Sequence, residues 1–207
     1  MNVKILTGIS ILGLGLVGLS SSANAADPID SQTGSTPVDV NFASGLLTLD
    51  AVPNPFNFGT LAISDEVVTA KLLSTNTYST GITDLRGSEA GYVLTVQAEP
   101  LTAFNGAKLD GSNIKLDDGT AIFAGTEQGS ATAPVVNQAI TADTLDLNGD
   151  PVPSAVATSA NNTTEGLQSW SIAWTGDNIN LIVNPTEAQA VSYQTNLVWT
   201  LSDVPVL

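Results

Sequence analysis

The 207-residue chain has no cysteine and no histidine. Without thiols there is no disulfide framework and no thiolate chemistry, so an extracellular domain of this kind has to rest on its hydrophobic core. Without imidazole the usual near-neutral proton shuttle and the commonest transition-metal ligand are both missing. Neither a Ser-His-Asp nor a Cys-His arrangement can then be assembled. Basic residues are scarce as well: five Lys and Arg stand against twenty Asp and Glu, a formal net charge of −15. Nucleic acid and anionic membrane surfaces are recognised through clustered Lys and Arg, so the balance argues against both as partners. It suits a cationic or neutral partner, or simple solubility outside the cell. Long apolar runs are limited to one, at the N-terminus.

That run is Ile5 to Leu19, preceded by Lys4 and followed by Ala23-Asn24-Ala25. A positive n-region, an apolar h-region and an Ala-x-Ala site in this order describe a secretory signal peptide, residues 1–25, cut after Ala25. The run falls short of the ~20 residues that span a bilayer, so the mature chain is expected to be secreted without membrane insertion. Residues 26–41 are polar, contain Gly and Pro and lack sustained periodicity, as in a flexible lead-in. The folded unit is expected over residues 42–207, a length that suits one domain.

Alternation dominates that unit. Val191, Tyr193, Thr195, Leu197, Trp199 and Leu201 fall on one side of a period-two pattern, and Ser192, Gln194, Asn196 and Thr200 on the other. Successive strand side chains point to opposite faces, so Val191–Leu201 reads as one half-buried strand, limited by Pro205. Leu47–Ala51, Tyr78–Leu85, Tyr92–Ala98, Trp170–Trp174 and Asn180–Asn184 read as further strands. Pro53–Gly59 is a turn whose two Phe can staple it to the core. Ser64–Leu73 carries both a capping signal and a Val-Val-Thr strand signal, and the strand reading is preferred. Ser112–Leu116 and Thr120–Phe123, joined by Asp117-Asp118-Gly119, read as a hairpin, since Asp-Gly is a strong short-range turn signal. Residues 125–164 are rich in small polar residues and are expected to hide some edge strands. Short strands with frequent turns, and no helix of ten residues, predict an all-β antiparallel β-sandwich.

Three chemistries can be weighed against this frame. A glycosidase pair needs two carboxylates in a cleft at defined separation, but most acids here adjoin Gly, Asn, Ser or Pro, as in Asp110-Gly111 and Asp150-Pro151, where solvated turns account for them. The chain is therefore expected not to be an enzyme and to need no cofactor. Asp146–Asp150 and Asp117-Asp118 offer oxygen ligands, yet neither has the spacing of a calcium loop, and ordinary acidic turns are preferred. Trp170, Trp174, Trp199 and Tyr92 could stack on sugar rings, but each sits in an alternating apolar row where core packing is the default.

Trp199-Thr-Leu-Ser-Asp-Val-Pro205, preceded by Tyr193, resembles the C-terminal signature of the WxL-domain surface proteins of Gram-positive bacteria. Gly45–Pro53 with Phe58-Gly59 resembles that domain's opening. Asp84-Leu-Arg-Gly87 followed by Gly91-Tyr-Val-Leu94 falls where the family carries its first Trp-x-Leu motif, here with Tyr92 in place of Trp. The resemblance spans roughly Phe42 to Leu207. It implies non-covalent attachment to the cell wall, through peptidoglycan or another wall polymer, with companion surface proteins as further partners. The motif residues Tyr92, Leu94, Trp199 and Leu201 are the binding-site candidates it implies. An alternative is a structural subunit of a surface complex that binds companion proteins or host ligands, with exposed edge strands taking up a partner's strand.

Overall fold

The structure is a computed structural model that describes residues 36–143, 152–185 and 188–203. The signal peptide read at 1–25, most of the lead-in, the Asp146–Asp150 turn and Pro205 lie outside the described residues. The chain divides between Asn41 and Phe42, and the Phe42–Leu207 unit is all β. Its strands are β1 (Leu47–Ala51), β2 (Val68–Lys71), β3 (Thr77–Asp84), β4 (Tyr92–Ala98), β5 (Thr102–Ala103), β6 (Asn113–Asp117), β7 (Thr120–Phe123), β8 (Val135–Val136), β9 (Ala139–Asp143), β10 (Ser154–Ser159), β11 (Gln168–Thr175), β12 (Ile179–Val183), β13 (Tyr193–Gln194) and β14 (Leu197–Ser202). All the strand pairings are antiparallel. Among the described residues no helix is long and apolar enough to cross a membrane.

Three four-stranded sheets carry the fold, in the orders β1-β3-β11-β7, β2-β12-β6-β9 and β14-β4-β10-β8, with β13-β5 as a small fourth ladder. In the first two sheets β3-β11-β7 and β2-β12-β6 are the same three chain paths in the same order. Each path is interrupted at one level, by Leu72–Asn76, by the 3-10 turn Gly176–Asn178 and by Asp118-Gly119. The first two sheets are thus one long layer bent across its middle, with the β14-β4-β10-β8 sheet against it. Ile82, Ile172 and Trp174 from the first sheet, Leu116, Ile140 and Ile179 from the second, and Leu94, Val96 and Val156 from the third share one core. At the bend the Gly176 N–H donates to the Asn76 carbonyl at 3.0 Å. A β-carbon on Gly176 would land on the Ser74 carbonyl oxygen, so only glycine lets the two paths approach this closely.

The bend corrects the hairpin expected at Asp117-Asp118-Gly119. β6 pairs with β12 and β9, whereas β7 pairs with β11. Asp118 adopts φ 53° as a tight turn requires, but the turn passes the chain from one sheet to the next. Each half finds a longer ladder on β11 or β12 than it would find on its neighbour in sequence. Asp118 N–H donates to the Gln138 carbonyl at 2.9 Å and Gln138 Nε2 to the Gly119 carbonyl at 3.0 Å, fixing the kink.

The terminal strand also differs from its reading: Val191–Leu201 is two strands, β13 on β5 and β14 on β4. Between them the Thr195 hydroxyl donates to the Glu99 carbonyl. Asn196 Nδ2 donates to Glu99 Oε2 at 2.7 Å, and the Glu99 N–H donates to the Asn196 carbonyl at 2.9 Å. The alternation survives the break, since the lateral step leaves Leu197, Trp199 and Leu201 half-buried and Val198 and Thr200 exposed. Ser64–Leu73 contributes the strand Val68–Lys71. The 125–164 stretch holds β8, β9 and β10, but β10 is no edge, lying between β4 and β8. Its Ser-Ala-Val-Ala-Thr-Ser sequence has too little apolar bulk to show the period-two signal of an interior strand.

Candidate functional site

β4 and β14 are neighbours, so the two motif copies come together. The antiparallel register sets Leu201 opposite Leu94 and Trp199 opposite Val96. The first copy is interior: Tyr92 and Leu94 have no exposed surface. The Tyr92 hydroxyl points at the Gly166 carbonyl, 3.5 Å away, a distance at which little hydrogen bonding remains. Burial, reinforced by the Asp84 and Glu165 carboxylates, raises the Tyr92 phenol above the ordinary tyrosine range. Gly166 sits at φ 69° and a β-carbon there would come within 2.7 Å of the hydroxyl, so the ring has no spare room on that side.

The Asp84-Leu-Arg-Gly87 turn anchors this end of β4. Arg86 Nε donates to Asp84 Oδ1 at 3.0 Å and Nη2 to Oδ2 at 2.8 Å, a two-pronged pair, and Nη2 also reaches the Gly91 carbonyl at 2.7 Å. The Asp84 side chain is 1% exposed and that of Arg86 14%. Hydrogen bonding to Asp84 keeps the guanidinium charged, raising its pKa against the opposing effect of burial. The one ion pair among the described residues therefore fixes the approach to Tyr92. A polar hollow of about 630 Å³ lies beside it, lined by Ser44, Arg86, Ser88, Leu201, Ser202 and Asp203 among others.

The second motif copy is on the surface of the core. Leu197, Trp199 and Leu201 pack on it while half-buried. The Trp199 ring lies 5.9 Å from that of Trp174, tilted by 47°. Trp170, Trp174 and Tyr92 are all at or below 3% exposure, so the four aromatics make no common stacking platform, and Trp199 alone has a ring within reach of a ligand.

That ring lines a groove of about 1100 Å³. The floor is apolar, from Val68, Leu101, Ile114, Leu181, Leu197 and Trp199. One wall is the Pro53–Ser64 loop, held down where Phe56 meets the Tyr78 ring edge-on at 5.2 Å and Phe58 at 6.5 Å. The other wall is the Ala188–Asn196 segment, where the Gln189 N–H donates to the Tyr193 hydroxyl at 3.0 Å. Its polar groups are amides and hydroxyls, including Asn54, Asn57, Gln194 and Asn196, and among the described residues no Asp, Glu, Lys or Arg lines it. The sequence holds a faint trace of the groove: Val52–Ser64 and Ala188–Leu201 are uncharged stretches in an acidic chain. Nothing local shows that they face each other.

A family model described as "WxL domain surface cell wall-binding" matches residues 16–205. No curated protein and no solved structure matches the chain. The match covers both motif copies, the Arg86 turn that anchors the first and the groove that the second lines. The chain belongs to the WxL domain family, whose members bind the cell wall at the surface.

Proposed function

We propose that the chain is a secreted, non-catalytic protein that attaches non-covalently to Gram-positive peptidoglycan through the groove that Trp199 lines. The observation that carries this reading is that, among the described residues, no charged side chain lines the groove in a chain of net charge −15. Acids scattered at random would reach a groove this large, and a cationic ligand would favour them there. An apolar floor that includes an indole, rimmed by Asn, Gln, Ser and Thr, suits N-acetylated sugars. Their ring faces are apolar and their hydroxyl and amide groups exchange hydrogen bonds with neutral partners. Glycoside cleavage would need two facing carboxylates, and the described residues of that lining supply none. In this reading Trp199 meets the ligand, while Tyr92, Leu94 and Leu201 hold the strand pair that positions it.

Co-sedimentation of the purified chain with Gram-positive sacculi tests the reading. Ala62→Glu and Ser192→Glu each place a carboxylate at an exposed position of one groove wall. Saturable binding that weakens at least tenfold in both, with unchanged melting temperature, is the expected result. Because no charged group among the described residues lines the groove, binding should change little between low and physiological salt. Binding by both variants equal to that of the parent chain would refute the groove as the site.

A further inference from the structure

Among the described residues, strand β14 is an edge that pairs with β4 alone. The Asn196 carbonyl accepts from Glu99 N–H on the β4 side, and backbone direction alternates along a strand. Val198, Thr200 and Ser202 therefore also face β4, in line with the Thr95 hydroxyl reaching the Thr200 carbonyl at 3.3 Å. Leu197, Trp199 and Leu201 turn their N–H and C=O groups to the open side. No hydrogen bond from another described residue reaches them there.

Other edges of this protein carry the usual protections. β1 is interrupted by a bulge between Leu49 and Ala51 and carries Asp50. β2 is four residues long and ends in Lys71. β7 has four residues and β8 two, and β9 is met by the Ser154 hydroxyl, which donates to the Thr141 carbonyl at 2.6 Å. β14 runs for six residues, Leu-Val-Trp-Thr-Leu-Ser, with no charge, no proline, no glycine and no register shift against β4. Exposed uncharged edges of this length are selected against unless they pair with something.

We propose that β14 is a strand-acceptor edge that takes up an extended, non-acidic segment of another polypeptide, extending the β14-β4-β10-β8 sheet by one strand. Main-chain groups of Leu197, Trp199 and Leu201 supply the pairing. A second copy of this chain is disfavoured as the donor, because two protomers of net charge −15 repel. A donor with lysines beside a Val/Thr-rich strand meets complementary charge. The edge uses backbone groups and the groove uses side chains, so this inference stands independently of peptidoglycan binding.

The test uses the full chain and a fluorescein-labelled peptide of alternating Val and Thr capped by Lys, beside the same peptide N-methylated at every Val and Thr, so that neither of its edges can donate. Saturable binding of the first peptide is expected, at least tenfold weaker for the N-methylated one. Amide exchange at Leu197, Trp199 and Leu201 should slow on binding, while Val198 and Thr200, already laddered, should not change. Val198→Lys and Thr200→Lys, both at exposed positions, should weaken peptide binding at least tenfold and leave sacculus binding intact. Equal binding of the two peptides, or none, would overturn the proposal. So would a free chain that sediments as a dimer with those three amides already protected.

Discussion

The Trp199 ring sits 5.9 Å from that of Trp174, joining the last strand of one sheet to the central strand of the facing one. The two indoles are unequal. Trp174 is 1% exposed and its Nε1–H has no acceptor among the described residues; a β-carbon on Gly119 would come within 2.7 Å of that nitrogen. Trp199 is half-buried and faces the groove.

Trp174→Phe removes an unsatisfied N–H along with part of the ring. The first change recovers some of the roughly 1–3 kcal/mol that an unpaired buried donor costs, offsetting the lost packing. A net destabilisation under about 1 kcal/mol is expected, against about 3–5 kcal/mol for Trp174→Ala, as is usual for large buried rings. Urea unfolding of the two variants decides it. Equal destabilisation would mean that the orphan N–H is not a liability.

Trp199→Phe separates packing from recognition. Phenylalanine keeps a ring against Trp174, so stability should fall by less than about 1.5 kcal/mol, while the smaller face in the groove should weaken sacculus binding severalfold. Unchanged binding in a variant with a lower melting temperature would leave Trp199 as a packing residue alone.

The Arg86–Asp84 pair is nearly enclosed on the carboxylate side. Removing one partner of a buried pair leaves the other charge stranded, so Arg86→Ala should cost about 3–5 kcal/mol by chemical denaturation. Arg86→Lys keeps the charge but loses the fork that reaches both carboxylate oxygens and the Gly91 carbonyl, and should recover less than half of that loss. Full recovery by lysine would show that charge, not geometry, holds the turn.

How much of this was legible in the sequence depends on the range of the determining contact. Tyr92–Ala98, Trp170–Trp174 and Leu197–Leu201 announce themselves because one buried face imposes period two. β10 does not, because its neighbours bury it through Ala and Ser. The hairpin at Asp117–Gly119 was misread because turn chemistry fixes a reversal or kink locally, while the choice of ladder rests on β11 and β12, some fifty residues downstream. The buried fate of Tyr92 follows from its row. The groove's geometry does not, because its two walls are joined only by the fold.

The bend gives a further test. Gly176→Ala places a methyl on the Ser74 carbonyl, a backbone atom that cannot swing away. A loss of about 3 kcal/mol, the upper end for an overpacked contact, is expected. Gly87→Ala is the control: φ is 67° there but nothing lies within 4 Å of the added carbon, so only the left-handed penalty of about 1–2 kcal/mol applies. Thermal unfolding with Gly87→Ala as damaging as Gly176→Ala would refute the close approach at the bend.

Tyr92 ties stability to alkaline pH. Its phenol is raised above the ordinary value of 10.0, first by burial and then by the Asp84 and Glu165 charges. The unfolded chain ionises near pH 10 while the native chain holds the proton. The stabilisation from Tyr92 is thus complete below pH 10 and is lost progressively as pH rises above it, by up to about 1.4 kcal/mol per pH unit. Tyr92→Phe cannot ionise and removes this slope. At pH 7 that variant should lose less than about 1 kcal/mol, because the 3.5 Å contact with the Gly166 carbonyl is too long for a full hydrogen bond. Urea unfolding at pH 8 and pH 11 on both proteins measures the difference. A parent chain that loses no more stability than Tyr92→Phe over that interval would show that the phenol ionises in place, and that the space around it admits a charge.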